Sequence, residues 1–246
     1  MNKYIALVLA AMTVSLNTTS YAKVFDTTSK SSLANTKNSN LVSTNDVHCE
    51  IDRTEVDKNA EPKLVNFANN LPDLCKKKYP EIKRLLVKGA YQPPSNIQII
   101  FKNGKGAAHT VGNEITLFIP YFKQQSNDYG AVVHEMVHVA QNYQKSVPGW
   151  LVEGIADYIR FEMGYSDSSK LSCHNNQHYS SSVYSCAPAF VTYIEKTNNG
   201  VIAKLNAALR QEGYNNGLLS KYTGKTVEQL WQECRKNDCQ GGAAHQ

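Results

Sequence analysis

The chain has 246 residues, is 41% hydrophobic and carries 26 Lys and Arg against 21 Asp and Glu, a formal charge of +5. Its 14 Gly and 8 Pro follow no G-X-Y period, and the one long apolar run sits at the N-terminus, which excludes collagen-like, Pro-rich and multi-span membrane classes. The positive excess is mild and unclustered and gives no reason to expect nucleic acid as a partner.

Residues 1–22 begin with Lys3, run apolar from Ile5 to Leu16, and end with Ser20 and Ala22 at the −3 and −1 positions of a signal-peptidase site. A cleaved secretory signal is expected rather than an anchor, because a bilayer span needs about 20 apolar residues. Residues 23–45 are rich in Ser, Thr, Asn and Lys and read as a flexible leader. The remainder, 46–246, is expected to be a single domain, with its ordered part between about Val47 and Asn237. This predicts a secreted or periplasmic protein with no stable membrane insertion. Six Cys all follow the signal, and an even count in an exported chain favours disulfides. Sequence proximity favours Cys49 with Cys75, Cys173 with Cys186, and Cys234 with Cys239.

In chain order, Leu64, Phe67, Ala68, Leu71 and Leu74 recur at helical spacing, with Pro72 as an expected kink. Ile97 to Phe101 and Glu114 to Ile119 read as two strands of one sheet, separated by the Gly-rich KNGKGAAHTVGN. Asn127 or Asp128 caps a helix running to about Tyr143, and Pro148 opens another that Gly164 closes. An Asn/Ser-rich loop over 165–182 precedes three helical stretches near 184–196, 200–211 and 226–236. The last opens on a capping-box pattern, Thr226-x-x-Gln229.

The chemistry concentrates in the first of the capped helices, at His134-Glu135-Met136-Val137-His138. Two His four residues apart lie one above the other on a helix, so both imidazoles reach one metal ion while Glu135 lies beside them. A chain of this make-up holds such a pattern by accident only about 0.01 times. The flanking Val132, Val133, Val139 and Ala140 imply burial, and buried polar groups need partners that a metal supplies. A catalytic zinc takes three protein ligands and keeps one position open. In WLVEGIADYIR, Glu153 and Asp157 share a helix face after a short turn that brings them toward the His pair. Glu153 is expected as the third ligand and Asp157 as a hydrogen-bond partner that fixes the tautomer of a ligand imidazole; the reverse assignment stays open. His174 and His178 are also four apart, but lack apolar periodicity and a neighbouring Glu, and read as exposed loop residues.

HEMVHVAQ followed by WLVEGIADYIR resembles the zinc peptidases of the broad thermolysin-like, zincin class, and within it the basic secretory protein family of plants and bacteria. GAAHTVGNEITLFIPYF resembles that family's Gly-rich turn and strand, and VTYIEKTNNGVIAKLNAALRQEGY with LLSKYTGKTVEQLWQE its C-terminal helices. The likeness covers roughly residues 60–236; the stretch Leu171 to Cys186 and the leader fall outside the family pattern, and the spacer from His138 to Glu153 is shorter than in thermolysin-like enzymes. It implies an α+β, zincin-like metallopeptidase: a small mixed sheet and active-site helix packed on a mainly helical C-terminal half, with a zinc cleft between.

On that resemblance the partner is a protein or peptide substrate, the cofactor Zn2+, and Glu135 the general base. Tyr184 aligns with a Tyr that begins the helix after the motif and is a candidate catalytic donor to the oxyanion. His109, in the Gly-rich segment, is a candidate substrate donor. The competing reading is a secreted binding or defence-type protein that keeps the fold without turnover.

Overall fold

The computed structural model describes residues 47–165, 173, 177–237 and 239. The expected signal and leader, and His174, lie outside the described residues. The architecture is mixed α/β, a small four-stranded mixed sheet accompanied, among the described residues, by nine helices. No described helix is long and apolar enough to cross a membrane.

The first element is a strand, β1 (His48–Asp52), followed by α1 (Thr54–Asn59) and the long α2 (Pro62–Leu86). The expectation of an opening helix therefore misses β1, a five-residue strand in which only Cys49 and Ile51 turn inward. Helix α2 continues through Pro72 and Pro80, although each proline removes a backbone donor. Its buried stripe of Leu64, Phe67, Ala68, Leu71, Cys75, Tyr79, Ile82 and Leu86 offsets that cost, and Cys75 is bonded to Cys49 of β1.

Strands β2 (Asn96–Lys102) and β4 (Glu114–Phe118) match the two expected strands. The Gly-rich segment between them holds a further strand, β3 (Ala108–Val111). The spatial order is β1-β2-β4-β3, with β1 and β4 parallel to β2 and β3 antiparallel to β4. Thus β3 is an edge strand, and its alternation turns Ala108 and Thr110 inward and His109 and Val111 to solvent. After β4 come α3 (Ile119–Gln124), α4 (Tyr129–Gln141) and α5 (Gly149–Glu162).

Helix α4 packs on α2, the sheet and α5 at once, which is why nearly every residue from Gly130 to Gln141 is buried. One aromatic focus sits beneath it, where Phe67 stacks on Phe122 with ring centroids 4.7 Å apart and lies 5.0 Å from Tyr129. The C-terminal part is helical: α6 (Cys186–Thr197), α7 (Val201–Glu212), α8 (Leu218–Thr223) and α9 (Val227–Lys236). Thr226 and Gln229 form the expected capping box on α9, while the short α8 carries too few residues to show a period. Trp150, Tyr179, Phe190 and Trp231 make a second aromatic focus, and the buried residues from β1 to α9 join into one core. His178 is half-buried against Tyr179 and Trp231 rather than exposed, because the loop folds back on this cluster.

All three disulfides pair as proximity suggested: Cys49–Cys75, Cys173–Cys186 and Cys234–Cys239. Three such bonds suit an extracellular or otherwise oxidising environment.

The position of α5 depends on Gly154. A Cβ there would meet Val191 Cγ2 at 2.9 Å and the Ala187 backbone at 3.2 Å, so α6 can approach α5 this closely only over a glycine. Gly154→Ala is expected to lower stability by about 1–3 kcal/mol through overpacking, despite the helix propensity of Ala. Urea unfolding checks this; unchanged stability would mean that α6 yields without strain.

Candidate metal centre

Helix α4 starts where the Asp128 side chain accepts from the Ala131 N–H at 3.0 Å. It ends at Asn142, whose φ of 40° closes the last turn in the left-handed region, one of the few conformations Asn tolerates better than most residues. Between these caps the helical repeat stacks His134 over His138, with ring centroids 4.7 Å apart and planes at 85°. Helix α5 presents Glu153 and Asp157 to the same place.

His134 Nε2 lies 3.1 Å from His138 Nε2 and 3.1 Å from Glu153 Oε2, and His138 Nε2 lies 3.6 Å from that same oxygen. Ligand atoms of His134, His138 and Glu153 all fall within 4.8 Å of one another. On the far side of each ring, Nδ1 is engaged: His134 with Asp157 Oδ1 at 2.8 Å, and His138 with Gln141 Oε1 at 2.7 Å. Both partners are acceptors, so each imidazole donates from Nδ1 and turns the lone pair of Nε2 inward. Two lone pairs and a carboxylate oxygen then face one another, and only a positive charge between them relieves the repulsion. Two imidazoles and one carboxylate are a donor set suited to zinc.

The titration behaviour follows from this crowding. Burial opposes charge on His134, but the hydrogen bonds to Asp157 and Glu153, with the charges of Asp157 and Glu135, outweigh it and push the imidazole up to about 10. Burial also works against ionised Glu153, yet its hydrogen bonds to His134 and His138 hold the carboxyl well below its usual range. A proton on His134 thus does in the metal-free protein what a cation does more completely.

Glu135, 7% exposed, turns its carboxylate toward the cleft, where the Thr110 hydroxyl donates to Oε2 at 2.7 Å and also lies 3.2 Å from the Glu135 carbonyl. Behind Asp157, the Arg160 guanidinium stands 3.7 Å from Asp157 Oδ1 and 3.5 Å from Asp128 Oδ1. Asp128 in turn accepts from the Tyr121 hydroxyl at 2.7 Å. These groups line an open cleft of about 940 Å³, walled by the Gly106 to Gly112 segment on one side and by the α4–α5 connection on another.

All of the expected site residues reach this cleft. His134, His138 and Glu153 converge; Glu135 and Asp157 flank them; His109 and Tyr184 line the walls without a hydrogen bond to the cluster. His109 packs its ring against Phe118 at 5.4 Å. Tyr184 lies just before α6 rather than on it and is 72% exposed. The negative charge of Glu153, partial burial, and the charges of Asp157 and Glu135 raise its hydroxyl above the ordinary value.

Three contributors carry no role in the sequence reading: Thr110, Gln141 and Arg160. Gln141 and Arg160 each stand three residues beyond a residue already singled out, His138 and Asp157, a spacing that places them on the same helix face. Thr110 becomes visible only once β3 is recognised as a strand.

A family model described as a peptidase of plants and bacteria matches residues 45–234, and the chain belongs to that family. No curated protein and no solved structure matches the chain. Family membership makes it a peptidase-type protein whose substrates are proteins or peptides.

The metal-free protein should show the His134 effect directly. A folded pKa raised above the unfolded value of about 6.5 gives stability that is complete below that value and lost as the pH climbs toward about 10. The melting temperature of chelator-treated protein should therefore fall from pH 6.5 to 10, and fall less in His134→Gln. Equal slopes in the two proteins would contradict the assignment.

Proposed function

We propose that this protein is an exported zinc-dependent peptidase with a zincin-like architecture, its enzyme domain spanning 46–246 behind a signal over 1–22 and a leader over 23–45. The observation that carries the reading is the convergence of two imidazoles and a carboxylate within 4.8 Å, each imidazole anchored through Nδ1. Family membership, the open cleft and three disulfides support it.

His134, His138 and Glu153 would hold the zinc, and Asp157 would keep His134 in the tautomer that ligation needs. Zinc bound there supplies a Lewis acid for the scissile carbonyl and a water of lowered pKa. Glu135 is the general base. Its Oε2 is occupied by the Thr110 hydroxyl, so Oε1 takes the proton of the attacking water and passes it to the departing amine. Tyr184 is protonated at neutral pH, as a phenol ordinarily is, with the cleft carboxylates moving its hydroxyl further from ionisation, and it donates to the oxyanion of the tetrahedral intermediate. His109, exposed on β3, donates to substrate along the cleft wall.

The test is digestion of a proteome-derived peptide library by the wild type and Glu135→Gln, with and without chelator, alongside metal analysis. Wild type should cleave and chelator should stop it. Glu135→Gln should keep about one equivalent of zinc and lose activity by about 10²–10⁴-fold. Identical digests under all conditions would refute the peptidase reading; metal retained with no cleavage by the wild type would favour a binding protein on this fold.

A further inference from the structure

Gln141 is the last residue of α4 and is only 1% exposed. A buried carboxamide must find partners at both ends, and these two ends reach different elements. Its Nε2 donates to the Val152 carbonyl of α5 at 3.0 Å, and its Oε1 lies 2.7 Å from His138 Nδ1. The orientation of the amide follows from chemistry. A backbone carbonyl can only accept, so the NH2 group faces Val152 and the oxygen faces His138. That oxygen can only accept in turn, so His138 carries its proton on Nδ1 and directs the lone pair of Nε2 at Glu153 and His134.

The geometry points to Gln141 as a positioning residue that fixes the ligating tautomer of His138 and, through Val152, ties that ring to the turn of α5 that carries Glu153. This rests on the zinc reading above. One side chain thereby sets the relation between two of the three ligands, while Asp157 sets the third, His134, from the opposite side. The two supports differ in charge. His134 leans on a carboxylate and His138 on a neutral amide, which spares the cleft a further negative charge beside Glu135, Glu153 and Asp157.

Zinc affinity, measured by chelator competition on the full chain, separates positioning from mere tethering. Gln141→Met has similar length but neither bond, and should bind zinc about 10–100-fold more weakly. Gln141→Glu keeps the acceptor for His138 and loses the donor to Val152, so it should retain most of the affinity. Both variants lose the tether and should melt lower than wild type when metal-free, so stability alone does not distinguish them. Histidine 15N shifts of the zinc-loaded wild type read the tautomer without any variant: His138 should be metal-bound through Nε2 and protonated on Nδ1.

Coordination through Nδ1, or Gln141→Met binding zinc as tightly as wild type, would overturn the inference, as would Gln141→Glu falling as far as Gln141→Met. Should Gln141→Met fail to fold, the wild-type shifts still decide. Failure of the wild type itself to bind zinc would remove the zinc reading together with this inference. Tight wild-type binding with an unaffected Gln141→Met would remove this inference alone.

Discussion

Three electron-rich atoms pointing at one another inside a folded protein are the constraint on which this molecule turns. His134 Nε2, His138 Nε2 and Glu153 Oε2 repel one another unless a cation or a proton lies between them, and the helical repeat that stacks the two rings does not by itself bring Glu153 of the next helix against them. The surrounding structure supplies the force. Helix α4 is pinned by packing on the sheet, α2 and α5, so its two His cannot rotate out of the cleft without exposing Val132, Val133, Val137 and Val139. Helix α5 is set in turn by the glycine contact with α6, which fixes how far Glu153 and Asp157 project toward α4.

Charge around the centre is deliberately uneven. Glu135, Glu153, Asp157 and Asp128 all border the cleft, against Arg160 and Lys145. Lys145 is turned away, its ammonium donating to the Gln211 carbonyl at 2.7 Å, and Arg160 is shared between Asp128 and Asp157. The carboxylates therefore outnumber the cations available to them, which raises both the His134 imidazole and the Tyr184 hydroxyl. A site with this balance favours a cation.

Much of the centre was legible in the sequence because helices write their geometry at fixed intervals. HEMVH and E-x-x-x-D each place two side chains one turn apart, and the short connection between the helices brings the two pairs together. The three disulfides and the capping box of α9 were legible for the same reason, being local. What escaped depended on partners far along the chain. Strand β1 is a strand because β2 pairs with it, and β3 because β4 does; neither carries an apolar run like those of β2 and β4 to stand out on its own. Missing β3 had a chemical consequence. Its alternation leaves His109 on the outer face at the cleft wall and turns Thr110 inward, where it touches Glu135.

The covalent cross-links bear on how the centre is kept rigid. Cys49–Cys75 joins β1 to α2, Cys173–Cys186 closes the loop leading into α6, and Cys234–Cys239 secures the end of α9. None spans α4 and α5, the two helices that carry the converging atoms. Their mutual position rests on burial, on the His134–Asp157 and Gln141–Val152 hydrogen bonds, and on one close helix contact. Disulfides stabilise chiefly by restricting the unfolded chain and do little to set a distance between two side chains to a few tenths of an ångström. Hydrogen bonds to ring nitrogens set both distance and tautomer, so a centre of this kind gains its precision from uncharged and charged acceptors behind the imidazoles rather than from cross-links around them.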